Sequence, residues 1–227
     1  MMKTTLTIVA LALATSVSAQ ESPLWMRYCA ISPDGSAVAF TYKGDIYTVP
    51  TTGGTARQLT TNAAYDTHPV WSPDSKQLAF CSNREGSMDV YVMQREGGTP
   101  RRLTTNSNSE TPIAFKDNNT VLYTSSIMPS AKSIIFANRM LPQVYEVGTN
   151  GSRPHLFSAL PMMDISIRPN GDLLYHDQKG YEDPWRKHHR SPITRDIWLR
   201  RGGKYTKLTN FNGEDRTPVW AAQGDTF

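Results

Sequence analysis

Ile31-Ser32-Pro33-Asp34-Gly35 recurs forty residues later as Trp71-Ser72-Pro73-Asp74-Ser75, and this recurrence constrains the fold of the 227-residue chain more than any other feature. It returns in altered form as Phe115-Lys116-Asp117-Asn118 and as Ile167-Arg168-Pro169-Asn170-Gly171, and Trp220-Ala221-Ala222-Gln223-Gly224-Asp225 begins a fifth copy. A short apolar run follows each of the first four: Val38-Ala39-Phe40, Leu78-Ala79-Phe80, Val121-Leu122-Tyr123 and Leu173-Leu174-Tyr175. A third element comes next, as Asp45-Ile46-Tyr47, Asp89-Val90-Tyr91, Gln143-Val144-Tyr145 and Asp196-Ile197-Trp198. Gly53-Gly54, Gly97-Gly98, Asn150-Gly151 and Gly202-Gly203 then mark a turn, and the unit closes on Gln58-Leu59-Thr60, Arg102-Leu103-Thr104, His155-Leu156-Phe157 or Lys207-Leu208-Thr209.

Each unit therefore reads as strand, turn, strand, turn, strand, Gly turn, strand. Pro fixes φ, Asp or Asn caps the turn, and Gly tolerates positive φ, so the tetrads have the chemistry of tight turns. Apolar runs of four to six residues have the length of strands and not of helices. Four antiparallel strands repeating every forty to fifty-odd residues predict an all-β fold, the β-propeller, with four-stranded blades. An irregular β-sandwich would not repeat its turn residues so regularly. The expected blades run over about 28–60, 68–104, 111–157 and 163–209, with a partial fifth over 215–227, together one domain over 20–227. The fifth copy stops after its first strand, so an incomplete ring from a six- or seven-bladed propeller is expected.

Residues 1–19 read as a signal peptide: Lys3 is the positive end, Leu6 to Ala14 the apolar run, and Val17-Ser18-Ala19 the small-residue cleavage site. No later segment is apolar enough to span a membrane. The expected location is outside the cytoplasm, in the periplasm or cell envelope. Cys29 and Cys81 are too few for a disulfide scaffold. Each sits in an apolar strand pattern, so two buried free thiols are expected ahead of a pair. The net charge of +4 is uneven: residues 179–207 hold nine Lys and Arg against three acids. A surface for nucleic acid would spread its cations more widely, so none is expected as a partner.

Two units carry insertions, Ile127 to Leu141 in the third and Gln178 to Ile193 in the fourth, and long loops on a rigid scaffold are where function concentrates. The second holds Tyr181, Trp185, Arg186, Lys187 and Arg190. Its three cations suit an anionic group, with the two aromatic rings as walls. The same loop would equally serve as a cover packed through Trp185, its charges solvated. The acids Asp66, Glu110 and Asp215 open the inner strands, where they are expected at the channel mouth, capping the strand-entry turn. His188-His189, near His176 and Asp177, lack a third ligand at fixed spacing, so neither metal nor any other cofactor is expected. No nucleophile elbow, no His-Glu-x-x-His and no phosphate-cradling Gly loop occurs, so no catalytic residue is assigned.

The phrases Trp71-Ser72-Pro73-Asp74, Leu78-Ala79-Phe80-Cys81-Ser82-Asn83-Arg84, Asp89-Val90-Tyr91-Val92-Met93, Gly97-Gly98 and Arg102-Leu103-Thr104 resemble the repeat of TolB-like propellers. The insertion around Tyr181-Glu182-Asp183-Pro184-Trp185-Arg186-Lys187-His188-His189 is similar to that of exported bacterial tricorn-type proteases. That resemblance implies propeller domains followed by a PDZ-like module and a serine peptidase, whose nucleophile lies beyond Phe227. It implies a non-catalytic propeller that guides or filters peptides. The partners to expect are peptides or proteins, downstream peptidase domains of the same chain, and further copies in a homo-oligomer. The alternatives are a stand-alone TolB-like binding propeller and the propeller cap of a prolyl-oligopeptidase-like hydrolase.

Overall fold

The computed structural model describes residues 25–127, 142–179, 193–221 and 226–227. The expected leader and most of both insertions lie outside the described residues. Among those described there are sixteen strands and no helix, hence none long and apolar enough to cross a membrane.

Each unit begins with an inner strand: β1 (Arg27–Ile31), then β2 (Ala37–Tyr42), β3 (Asp45–Pro50) and β4 (Arg57–Gln58) in the first. The second comprises β5 (Asp66–Trp71), β6 (Gln77–Glu85), β7 (Ser87–Gln94) and β8 (Gly97–Arg102). The third comprises β9 (Glu110–Asp117), β10 (Thr120–Ser125), β11 (Gln143–Gly148) and β12 (His155–Ser158). The fourth comprises β13 (Met162–Ile167), β14 (Leu173–Asp177), β15 (Ile197–Arg201) and β16 (Lys204–Lys207). Every unit is a separate antiparallel sheet in sequence order, so the described residues form four blades of a β-propeller. The inner strands β1, β5, β9 and β13 neighbour one another in that order. Residues 215–221, the described start of the expected fifth unit, take no strand, although they dock on the fourth blade through the Trp220 indole.

The turns form as their composition dictates. Ser32 O accepts the Gly35 N–H at 2.8 Å, while Asp34 Oδ1 accepts from the Ser36 amide at 3.0 Å and from the Ser32 hydroxyl. Ser72 and Asp74 repeat the pattern, with Ser75 in the left-handed region at φ +60° where the first turn has Gly35. A serine stands there because its hydroxyl accepts the Asp34 N–H of the preceding blade at 3.0 Å. Asn118 Oδ1 accepts the Asp74 N–H in the same way.

Neighbouring blades pack an aromatic face on an aliphatic one. Ala39, Ile46 and Leu59 of the first meet Trp71, Phe80 and Tyr91 of the second. Ala79, Val90 and Leu103 then meet Phe115, Tyr123 and Tyr145, and Leu122 and Val144 meet Tyr175 and Trp198. Strand alternation produces this: in each Ala-aromatic or Leu-aromatic pair, successive side chains leave opposite faces. Burial of each such large side chain is worth about 1.5–3 kcal/mol, so the seams hold the blades together.

A polar clasp fastens the outer strand. Asp45 Oδ1 accepts from the Thr60 hydroxyl at 3.0 Å, and Thr60 Oγ1 accepts the Ile46 N–H at 3.0 Å. In the second blade Arg102 bonds Asp89 at 2.8 Å and Thr104 Oγ1 accepts the Val90 N–H at 2.9 Å. In the fourth, Lys207 lies 3.0 Å from Asp196 and Thr209 Oγ1 accepts the Ile197 N–H at 3.0 Å. The third blade has Gln143 and, by register, Ser158 at these places, and its Phe157 lies beneath the cations of Lys116 and Arg200.

The cysteines are unpaired, and their surroundings differ from the expected two buried thiols: Cys81 is buried, but Cys29 is exposed. Cys29 stands in an inner strand that is exposed at every residue but Ala30, whereas Pro69 and Ile165, at the same place after the same bulge in the second and fourth blades, are buried.

Candidate functional site

The inner strands form the wall of the central channel, and each is interrupted by a bulge at the same point. Pairing slips between Arg27 and Ala30, between Thr67 and Val70, opposite Leu122 and Tyr123, and between Met163 and Ser166. The bulged residues Tyr28, His68 and Asp164 stand at φ +54°, +54° and +48°, and Thr217 takes +54° in the segment after the fourth blade. In the third blade Pro112 occupies the position and cannot adopt positive φ. A non-glycine residue held there costs roughly 1–2 kcal/mol, and such strain collects at binding and catalytic sites.

These residues meet across the seams. The rings of Tyr28 and His68 lie 3.6 Å apart between centroids. The Thr217 hydroxyl donates to Asp164 at 3.1 Å, and the Thr217 N–H donates to His176 Nδ1 at 3.4 Å. Asp164 is also 3.5 Å from that ring nitrogen. Burial lowers the pKa of both His68 and His176, so neutral imidazoles face the collar.

Neither histidine activates a nucleophile. Cys81 Sγ is 3.9 Å from His68 Nδ1, but burial pushes the thiol up to about 12, and it donates to the Thr67 carbonyl at 3.5 Å. A thiol held that high is not a thiolate near neutral pH. Thr217 gives its proton to Asp164 and not to His176, so hydroxyl, imidazole and carboxylate make no relay. Among the described residues no cluster of three His, Cys, Asp or Glu could hold a metal ion.

Below the collar the channel opens into a cavity of about 510 Å³ bounded by all four inner strands. Ile31, Val70, Ile113, Phe115 and Ile167 give it an apolar wall, and Lys116 and Arg168 supply cations at the turn end. Lys116 is paired with Glu146 at 2.7 Å, and the Arg168 guanidinium stands 3.9 Å over the Trp220 ring. The arrangement suits an extended, largely apolar segment.

Of the acids expected at the channel mouth, Asp66 has a different role. Asp66 is fully buried and accepts from Arg84 at 2.8 and 2.9 Å, tying β5 to the end of β6 instead of capping a turn. Glu110 is also buried. Asp215 keeps one carboxylate oxygen without a partner. Tyr181, Trp185, Arg186, Lys187 and Arg190 lie outside the described residues. The basic surplus around them is partly neutralised: Lys179 and Lys207 both pair with Asp196, and Arg201 pairs with Asp172 at 2.7 Å. The collar residues were missed in the sequence, although each stands four positions before the first residue of its turn tetrad.

Comparison with known proteins gives a consistent picture. The family described as the tricorn protease N-terminal beta propeller domain matches residues 23–227. Over 215 residues the chain is 27% identical to tricorn protease homolog 1 of Streptomyces coelicolor, covering 93% of this chain and 19% of that protein. The solved structure of the tricorn protease superposes with a TM-score of 0.69 at 17% identity, covering 88% of this chain and 20% of the other. A TolB-type protein from Agrobacterium tumefaciens superposes with a TM-score of 0.59 at 26% identity, covering 82% of this chain and 66% of that one. The chain thus spans about a fifth of the length of the tricorn relatives it matches.

Proposed function

The chain belongs to the family of tricorn protease N-terminal beta propeller domains, and from that premise we propose that it is the non-catalytic propeller portion of an exported tricorn-like serine peptidase, guiding or filtering peptides for proteolysis. The observation that carries this reading is the channel itself: an apolar cavity of about 510 Å³ beneath a polar collar, with no activated nucleophile beside it. Such a passage selects by width and polarity and leaves bond cleavage to other domains. Location in the periplasm or envelope belongs to the same proposal, supported by the leader-like residues 1–19 and by likeness to TolB-type proteins.

The test is made in the full-length protein by Ile113→Asp and Ile167→Asp, which place charge in the cavity wall. Peptides of several residues should lose kcat/KM severalfold, while a small chromogenic substrate that needs no passage keeps its rate. Equal rates for all substrates in both variants would overturn the reading. The likeness to the TolB-type structure favours one alternative, a stand-alone binding propeller of the envelope. The coding sequence beyond Phe227 separates the two, since only the first reading requires a peptidase domain there.

The insertion deepens the proposal. We propose that Arg186, Lys187 and Arg190 anchor a peptide C-terminal carboxylate, with Tyr181 and Trp185 the aromatic residues of the same insertion. In the full-length protein Arg186→Ala with Lys187→Ala should weaken binding of free-acid peptides, and amidated peptides should bind weakly to both forms. The effect should shrink with added salt, because exposed charges are screened over about 10 Å at 0.1 M. Equal affinity of the unmodified protein for free and amidated peptides would sink the anchor.

A further inference from the structure

The start of β9 presents a carboxyl group in an unusual setting. Asp66 and Glu110 hold the same position in the second and third blades, opposite Ser82 and Ser125 respectively. Two residues beyond Ser82 stands Arg84, which neutralises Asp66. Two residues beyond Ser125 stands Ile127, which carries no charge. Glu110 is nevertheless 1% exposed, and its Oε2 has no donor.

What surrounds Glu110 comes from four elements. The Thr104 hydroxyl, whose oxygen already takes the Val90 N–H, donates to the Glu110 carboxyl, as does the Asn106 amide. From β10 and β11 the buried hydroxyl of Tyr123 and that of Tyr145 face it. From β7 of the preceding blade comes Asp89, fully buried and within hydrogen-bonding reach of Glu110. Asp89 also accepts from Ser87 at 3.2 Å and from Arg102 at 2.8 Å. Arg102 is the cation beside this pair, and its Nε is spent on the Thr104 carbonyl. Two carboxyl groups therefore share a dry seam with one guanidinium, and a second negative charge there would be uncompensated.

We propose that Glu110 and Asp89 share one proton across the seam between the second and third blades, a latch that closes on protonation and loosens on deprotonation. Glu110 Oε2–H donates to the Asp89 carboxylate, which accounts for the oxygen that finds no donor. Loss of the proton sets two carboxylates against each other inside the seam.

The linkage has a definite direction. Burial, followed by the Asp89 charge, pushes Glu110 up from 4.5 to about 7. The folded chain thus holds a proton that the unfolded chain has released between those values. The latch contributes fully below about 4.5, and its contribution is lost as pH rises through about 7.

The experiment uses the full-length protein and Glu110→Gln, whose amide can still donate to Asp89 but cannot titrate. Urea midpoints of both are measured from pH 5 to 8. The folding equilibrium constant of the unmodified protein should fall relative to the variant by up to about tenfold per pH unit before levelling near neutrality. Parallel profiles would overturn the proposal. A second measurement needs no variant: the Glu110 carboxyl carbon, followed by NMR, should titrate near neutrality, and titration in the ordinary glutamate range would overturn it equally.

Discussion

Ser75 carries two opposed effects in one side chain. Its φ of +60° is strained for any residue with a Cβ, yet its hydroxyl takes the Asp34 amide of the neighbouring blade. Ser75→Ala keeps the strain and loses the acceptor, so it should destabilise by about 1–2 kcal/mol. Ser75→Gly relieves the strain as it loses the bond and should cost less. Urea unfolding of the two variants ranks them, and a glycine variant weaker than the alanine one would contradict this account. The two cysteines differ just as sharply. Cys81 is buried with its thiol pushed up to about 12, whereas Cys29 is exposed. At pH 8 an alkylating reagent should modify Cys29 in the native protein and reach Cys81 only on unfolding, which mass spectrometry reads directly.

Within the blade, the Thr clasp makes the outer strand dependable. Thr60→Val leaves the Ile46 N–H without its partner beside a fully buried side chain, and should cost about 1–3 kcal/mol. Thr60→Ser should restore most of it, as measured by thermal or urea unfolding. The turns and the strands were legible in the sequence because their chemistry is local. Asp-Ile-Tyr and Gln-Leu-Thr stand within one unit, and Pro-Asp-Gly sets its turn unaided. The bulges were not legible, since a slip of register is decided by the partner strand and not by the bulged residue. Tyr28, His68 and Asp164 share no side-chain chemistry, so only their common distance from the turn could have marked them. Asp66 was misplaced for a related reason: its partner Arg84 lies eighteen residues away on another strand.

At the scale of the whole molecule, the seams carry the stability and the channel carries the proposed function. Phe80 is fully buried against the first blade, and Phe80→Ala should cost about 3–5 kcal/mol, the largest loss predicted here. A cost below about 1 kcal/mol would mean that the first seam is not the cohesive surface it resembles. Catalysis is a different matter. With Cys81 un-ionised and the Thr217 hydroxyl given to Asp164 and not to His176, purified chain 20–227 should hydrolyse no peptide. Turnover abolished by a serine-directed inhibitor would refute that expectation.

The Trp71 indole donates to the Ala30 carbonyl at 2.9 Å, and the Trp220 indole donates to the Ser166 carbonyl at 3.0 Å. In both joints the donor belongs to the later unit, and the acceptor is main chain of the earlier one. Phe115 and Ile167 show the joint to be optional, since neither has an N–H to offer. A unit copied in tandem by gene duplication therefore arrives with its own fastening and finds the matching half already present.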